Sequence, residues 1–226
     1  MPIKFDAIVI GTGQAGPALA ARLSGAGMKV AVVERGRFGG TCVNNGCTPT
    51  KAMVASAYAA RLAQRAAEYG VEVPGAVRVD MKRVKARKDA IVASSTQGVE
   101  KWMEKVATVY RGHARFSGPD RVRVDGDELA APRIFLDVGG RPLVPDMPGI
   151  GEVPCLTNES MMELDFVPPH LLVIGGSYVG LEFAHMMRRF GSKVTVIEMA
   201  PRLVAREDED VSQALKEILE AEEIAV

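Results

Sequence analysis

Two stretches of the chain carry the same order of apolar and polar positions. Residues 7–35, AIVIGTGQAGPALAARLSGAGMKVAVVER, and 171–199, LLVIGGSYVGLEFAHMMRRFGSKVTVIEM, each open on a short apolar, largely β-branched run. Each then passes a glycine-rich turn, continues with apolar residues at helical spacing, stops at a glycine and closes on a second β-branched run ending near a glutamate. Laid over each other, Gly11 meets Gly175, Gly16 meets Gly180, Gly27 meets Gly191 and Glu34 meets Glu198. The change of period from strand to helix and back predicts a strand–helix–strand unit in each stretch. Between them, residues 50–70 are alanine-rich with helical spacing up to Gly70, with Thr48 as cap and Pro49 entering the first turn. Residues 80–106 read as a second long amphipathic helix, broken near Gly98, whose Lys/Arg run is a solvated face. From 108 to 138 short alternating runs predict strands, with Asp125-Gly126 marking a hairpin. Residues 138–154 are dense in Pro and Gly and predict a domain boundary, and 208–222 predict a helix before a strand that starts at Ile224.

The glycine turns have a chemical logic. The first glycine permits a tight turn, the next lets backbone approach a pyrophosphate, and the last lets helix and strand pack closely. The helix N-terminus then presents free N–H groups to the phosphates, and the distal glutamate accepts ribose hydroxyls. The second copy carries Ser177 where the middle glycine is expected. The fold class predicted is α/β, with two Rossmann-like dinucleotide-binding folds, the second incomplete. Two such folds predict two dinucleotides.

Charge changes this picture little. Among 226 residues Lys plus Arg equals Asp plus Glu, so nothing recruits nucleic acid or an anionic membrane. The start, MPIKFDAIVIGTG, runs directly into a strand and reads as neither signal peptide nor membrane span. Three cysteines make a disulfide-stapled secreted scaffold a poor fit, and the expected location is cytoplasmic.

Two of those cysteines lie in GGTCVNNGCTPTK, residues 39–51. Five residues on a regular helix separate Cys42 and Cys47 by about 140°, so pairing requires a local distortion. Asn44-Asn45-Gly46 supplies residues that tolerate one. Cys47 lies next to the positive end of the following helix, which favours a thiolate, and Lys51 adds a fixed charge one turn on. Zinc lacks partners, because Cys155, His113, His170 and His185 show no ligand spacing. A redox-active pair is the expectation, with a buried structural pair as the alternative.

GGTCVNNGCTPTK resembles the active-site signature of the class I pyridine nucleotide-disulfide oxidoreductases, the family of glutathione reductase, lipoamide dehydrogenase and mercuric reductase. The resemblance covers the whole chain, and CTPTK, SMMELDF and GGSYVGLEFA are most similar to the mercuric-reductase-like subgroup. It implies an FAD-binding domain over 1–148, with Gly11, Gly13 and Gly16 at the pyrophosphate and Glu34, with Arg35 beside it, at the adenosine ribose. Gly40, Thr41, Cys42 and Lys51 would line the flavin side, Ala114 would meet the adenine end through its backbone, and Gly139 would turn the chain before the linker. Residues 149–226 would be the first part of an NAD(P)H-binding domain, using Gly175, Gly176, Ser177 and Gly180, with Glu198 at the ribose. Tyr178 resembles the family's gating tyrosine, and Glu182 the glutamate that pairs with Lys51.

By the same resemblance, hydride would pass from NAD(P)H to FAD and then to a Cys42–Cys47 disulfide, Cys47 being the sulfur nearer the flavin. Cys42 would attack a small disulfide substrate, or both thiols would bind a soft metal such as Hg(II); no resident metal is implied. The alternatives are a dihydrolipoamide dehydrogenase or glutathione reductase type, or a non-catalytic cofactor-binding fragment. The sequence departs from the family at Asp137-Val138-Gly139, where Ala-Thr-Gly is usual. The family also extends beyond a position equivalent to Val226, into a second flavin-binding segment and a dimerisation domain with a His-Glu pair. The chain is therefore expected to be the N-terminal portion of a homodimeric enzyme, with little turnover by itself.

Overall fold

A computed structural model describes all residues, Met1–Val226. They pack into two compact units, Met1–Pro49 with Asp89–Thr157, and Thr50–Lys88 with Asn158–Val226. The first contains β1 (Ile3–Lys4), β2 (Ala7–Ile10), α1 (Ala15–Gly25), β3 (Val30–Glu34), α2 (Gly40–Asn44) and the start of α3 (Cys47–Gln64). It resumes along α4 (Met81–Val106) and ends with β4 (Thr108–Arg111), β5 (Arg115–Gly118), β6 (Arg121–Val124), β7 (Asp127–Ala130) and β8 (Ile134–Leu136). The second takes the rest of α3, the first turns of α4, α5 (Asn158–Met161), β9 (His170–Ile174), α6 (Tyr178–Phe190), β10 (Lys193–Ile197), α7 (Glu209–Ala221) and β11 (Ile224–Ala225).

The first unit is built on a parallel sheet of order β4-β3-β2-β8. Its central strands are continuous apolar runs because both faces are covered. Alternate residues go opposite ways. Val9, Val30 and Val32 pack with Ala20 of α1 and Met103 of α4. Ile8, Ala31 and Val33 pack with Val122, Val124 and Leu129 from a second sheet of order β1-β7-β6-β5. Asp125 and Gly126, both at positive φ, form the two-residue turn between β6 and β7 that the Asp-Gly pair predicted.

The second unit has a parallel sheet of order β11-β10-β9. Its core gathers Met53, Met81, Met162, Met186 and Met187 around Leu181, Phe183 and Val196. Methionine adapts to irregular gaps, which suits a core drawn from separate chain segments. Along β9, Leu172 and Ile174 remain exposed.

Several boundaries differ from expectation. Helix α3 begins at Cys47, so Thr48 is not its cap but, like Pro49, part of its first turn. Proline is tolerated there because its missing N–H would have had no intrahelical partner. The helix ends at Gln64, and a 3₁₀ turn at Ala66–Tyr69 carries the chain to a left-handed Gly70. Helix α4 runs unbroken through the exposed Gly98. A mid-helix glycine costs about 1 kcal/mol, less than burying Val92 and Met103 gains, at roughly 1.5–3 kcal/mol each. No helix is long and apolar enough to cross a membrane.

In the second unit, Glu222 at the end of α7 joins three side chains. Arg189 donates from Nε at 2.9 Å and from its terminal nitrogen at 2.7 Å, His185 Nε2 lies 3.0 Å away, and Arg61 Nε is 3.8 Å away. The Arg189 bonds, with His185 adding to them against the cost of burial, hold the Glu222 carboxyl down at about 2. A carboxyl depressed on folding stabilises the protein above its unfolded pKa, and that contribution disappears as pH falls through the folded value. Glu222→Gln should therefore cost about 2 kcal/mol at neutral pH. It should also remove part of the stability lost between about pH 4.5 and about 2. Urea midpoints measured across that range check both effects; a variant as stable as the parent at neutral pH would show that the cluster contributes nothing.

Candidate dinucleotide turns and redox cysteines

The two glycine turns are built alike. The Gly11 amide donates to the Val33 carbonyl at 2.8 Å, and the Gly175 amide to the Ile197 carbonyl at 2.8 Å. Both glycines have φ of +102°. At Gly11 a Cβ would also lie 2.0 Å from the Asp137 carbonyl oxygen, so no other residue fits. Each turn is then held by the glutamate that ends, or directly follows, the neighbouring strand. Glu34 Oε2 accepts from the Thr12 amide at 3.0 Å and the Thr12 hydroxyl at 2.6 Å, and Oε1 accepts from the Gly36 amide at 2.8 Å. Glu198 Oε2 accepts from the Gly176 amide at 2.6 Å, and Oε1 from the Ala200 amide at 2.7 Å. The Ala200 and Gly176 amides, helped by that of Met199, hold the Glu198 carboxyl below the usual carboxylate range despite partial burial. Ser177 replaces a glycine without strain because it is extended, at φ −90° and ψ 168°.

The cysteine segment hangs from the first turn. The Gly39 amide donates to the Thr12 hydroxyl oxygen at 3.2 Å, and a Cβ on Gly40 would lie 2.7 Å from Gly13 Cα. Asn44 closes α2 by donating from Nδ2 to the Phe38 and Gly40 carbonyls, each at 2.9 Å, and accepts from the Thr96 hydroxyl at 3.0 Å. The helix breaks at Asn45, and Gly46 packs so tightly that a Cβ would sit 2.9 Å from the Thr41 carbonyl oxygen. The break brings the Cα atoms of Cys42 and Cys47 to 4.6 Å, and the two form a disulfide. Cys42 is half-buried and Cys47 exposed.

The remaining expected site residues fall as follows. Thr41 lies in α2 and is exposed, as is Arg35 beside Glu34. Ala114 follows β4, half-buried against the core of Phe5 and Ile8, and Gly139 is exposed at φ +69°. In the second unit Lys51 pairs with Glu182, and Tyr178, first residue of α6, is 70% exposed. Gly180 sits over the Gly175 carbonyl, where a Cβ would come within 2.6 Å. Thr12 was not singled out from sequence, Asn44 was read only as a residue that tolerates the distortion between the cysteines, and Asp137 only as a departure from the family pattern. A hydroxyl between the first two glycines and an amide three residues before the second cysteine were the available signals.

Two dinucleotide-type turns with glutamate anchors and a disulfide at a helix start define a Rossmann-like α/β oxidoreductase chain. The chain belongs to the pyridine nucleotide-disulphide oxidoreductase family, whose profile matches residues 5–226. It is 34% identical to a dihydrolipoyl dehydrogenase of Bacillus subtilis (strain 168), over 97% of this chain and 49% of the relative. It is also 34% identical to a mercuric reductase of Staphylococcus aureus, over 95% of this chain and 40% of the relative. Among solved structures it is similar to the HOCl-induced flavoprotein disulfide reductase RclA from Escherichia coli, with a TM-score of 0.84 and 33% identity. That match covers 97% of this chain and 48% of RclA. The chain thus spans about half the length of the curated relatives it matches.

With Cys155 the one free cysteine, thiol titration of the denatured, non-reduced chain should find one thiol, rising to three after reduction. Three thiols before reduction, in protein kept from reductants, would contradict the disulfide.

Proposed function

We propose that this chain is the N-terminal portion of a flavin-dependent NAD(P)H:disulfide or metal-ion oxidoreductase, mercuric-reductase-like, in which the Cys42–Cys47 pair receives the electrons. The observation that carries the proposal is the disulfide anchored through Gly39 and Thr12 to a dinucleotide-type turn. The residues present fit an FAD in the first fold. A carboxylate offers about four acceptor sites, and Glu34 uses three, leaving one for a ribose hydroxyl. Glu198 accepts from the Gly176 and Ala200 amides, with the Met199 amide beside them, and likewise leaves an acceptor site for a nicotinamide nucleotide's adenosine ribose in the second fold. Bound FAD supplies the relay of two electrons from NAD(P)H to the disulfide.

The chain's own part is positional and electrostatic. Two electrons open the sulfur–sulfur bond and leave two thiolates, each able to exchange a proton with solvent. Cys47, first residue of the 18-residue α3, lies where the helix dipole favours an anionic sulfur. Lys51 holds a positive charge one turn further along, and Glu182 fixes its direction. Cys42 then attacks a small disulfide, releasing one thiolate, and Cys47 displaces the other as the intramolecular disulfide re-forms. Alternatively both thiolates hold a soft cation, as the name of the mercuric reductase relative suggests. The same reading takes the intact enzyme to be a cytoplasmic homodimer, a location supported by the sparse cysteines.

An anaerobic NADH titration of the FAD-reconstituted chain tests this. The native chain should show one thiol before and three after, and Cys47→Ser two both before and after. A native count that stays at one with FAD bound would exclude the pair as electron acceptor.

Glu198 also sets a nucleotide preference. Its depressed carboxyl stays ionised at neutral pH and would face the 2′-phosphate of NADPH. Binding should favour NADH, and Glu198→Ala should narrow the gap by about tenfold, or about 1.4 kcal/mol. Arg202 and Arg206 follow within a few residues and temper the effect. NADPH bound tenfold more tightly than NADH would refute this role.

A further inference from the structure

The two glycine turns differ at the mouth of their helices. In the first unit Asp137 follows β8, donates its amide to the Ile10 carbonyl at 2.7 Å, and places carboxylate Oδ2 2.8 Å from the Gly16 amide. A Cβ on either Gly13 or Gly16 would lie 2.9 Å from that oxygen. In the second unit the equivalent glycine, Gly180, has the Gly175 carbonyl and the Val173 side chain as its nearest neighbours, and no carboxylate.

Gly16 is the second residue of α1, in the first turn, whose amides give a helix start its attraction for anions. A dinucleotide's pyrophosphate addresses the same end. The protein has already put an anion of its own there. We propose that Asp137 is a resident anion of the first turn that sets its affinity for FAD: it holds the turn closed when no nucleotide is bound and opposes the pyrophosphate when one is. The proposal rests on the flavin reading above. The charge is the operative feature, because an amide in its place keeps the acceptor and the shape while removing the repulsion. At an effective dielectric of about 20, two charges several Å apart change an equilibrium constant by roughly tenfold or more.

FAD dissociation constants, measured by flavin fluorescence on the whole chain at low and high ionic strength, test this. Asp137→Asn should bind FAD about tenfold more tightly at low salt, with the difference shrinking as salt rises. Asp137→Ala should also bind more tightly, and the FAD-free Asn variant should melt below the parent, having lost a charge from a helix start. Equal or weaker FAD binding by folded Asn variant would overturn the proposal. So would tightening in the Ala variant alone, which would assign the effect to occupancy of the Gly16 amide. A native chain and variants that all fail to take up FAD would refute the flavin reading itself, and the role of Asp137 with it, a result distinct from equal binding.

Discussion

Each unit depends on a glutamate carboxylate that bonds two backbone amides on opposite sides of itself. In the first, Glu34 reaches back to the amide after Gly11 and forward to that of Gly36. In the second, Glu198 does the same with Gly176 and Ala200. The bond joins the end of one parallel strand to the turn leaving its neighbour, so sheet register and turn geometry are fixed together. Such a charge-assisted bond to an amide is roughly twice as strong as a neutral one. In the first unit the same carboxylate orders the Thr12 hydroxyl, which in turn receives the Gly39 amide. The placement of the cysteine segment thus draws on Glu34 through that hydroxyl, alongside the bond from Thr96 to Asn44.

That hydroxyl is absent from the second unit, where Gly176 stands in its place and the Gly176 carbonyl accepts from the Val204 amide. The same backbone scaffold has therefore been put to two uses. In one, a threonine couples the turn to the disulfide-bearing loop; in the other, a bare backbone provides no such coupling. Repetition of fold does not entail repetition of chemistry, and the divergence sits in side chains one atom beyond the shared backbone bonds.

Much of this was legible in the sequence, for identifiable reasons. The strand–helix–strand repeat is visible because buried parallel strands and a glycine turn leave both a compositional and a positional trace. The Asp125-Gly126 turn needs left-handed backbone, which those residue types declare. The start of α3 was misplaced because Thr-Pro looks like a cap, whereas the helix already starts at Cys47, directly after the tight Gly46. The break expected at Gly98 did not occur because packing at Val92 and Met103 outweighs a local propensity. The Asp137 contact was beyond reach, since it links positions 121 residues apart and leaves no local pattern. The division expected at 148 follows the Pro/Gly-rich stretch, whereas the compact units divide after Thr157 and also within α3 and α4, where packing rather than composition decides.

The interleaving of those units bears on how the chain emerges from the ribosome. The first unit cannot close until its second segment, ending at Thr157, has been made, and by then residues 50–88 have been synthesised without their partners. Met53, Ala57 and Met81 must wait for Leu181, Phe183 and Met187 to bury them. During translation this leaves an apolar helical segment between two stretches that can already associate. The nascent chain is consequently most exposed to misassociation in the middle of its synthesis, and a pause in elongation just after residue 157 would prolong that state.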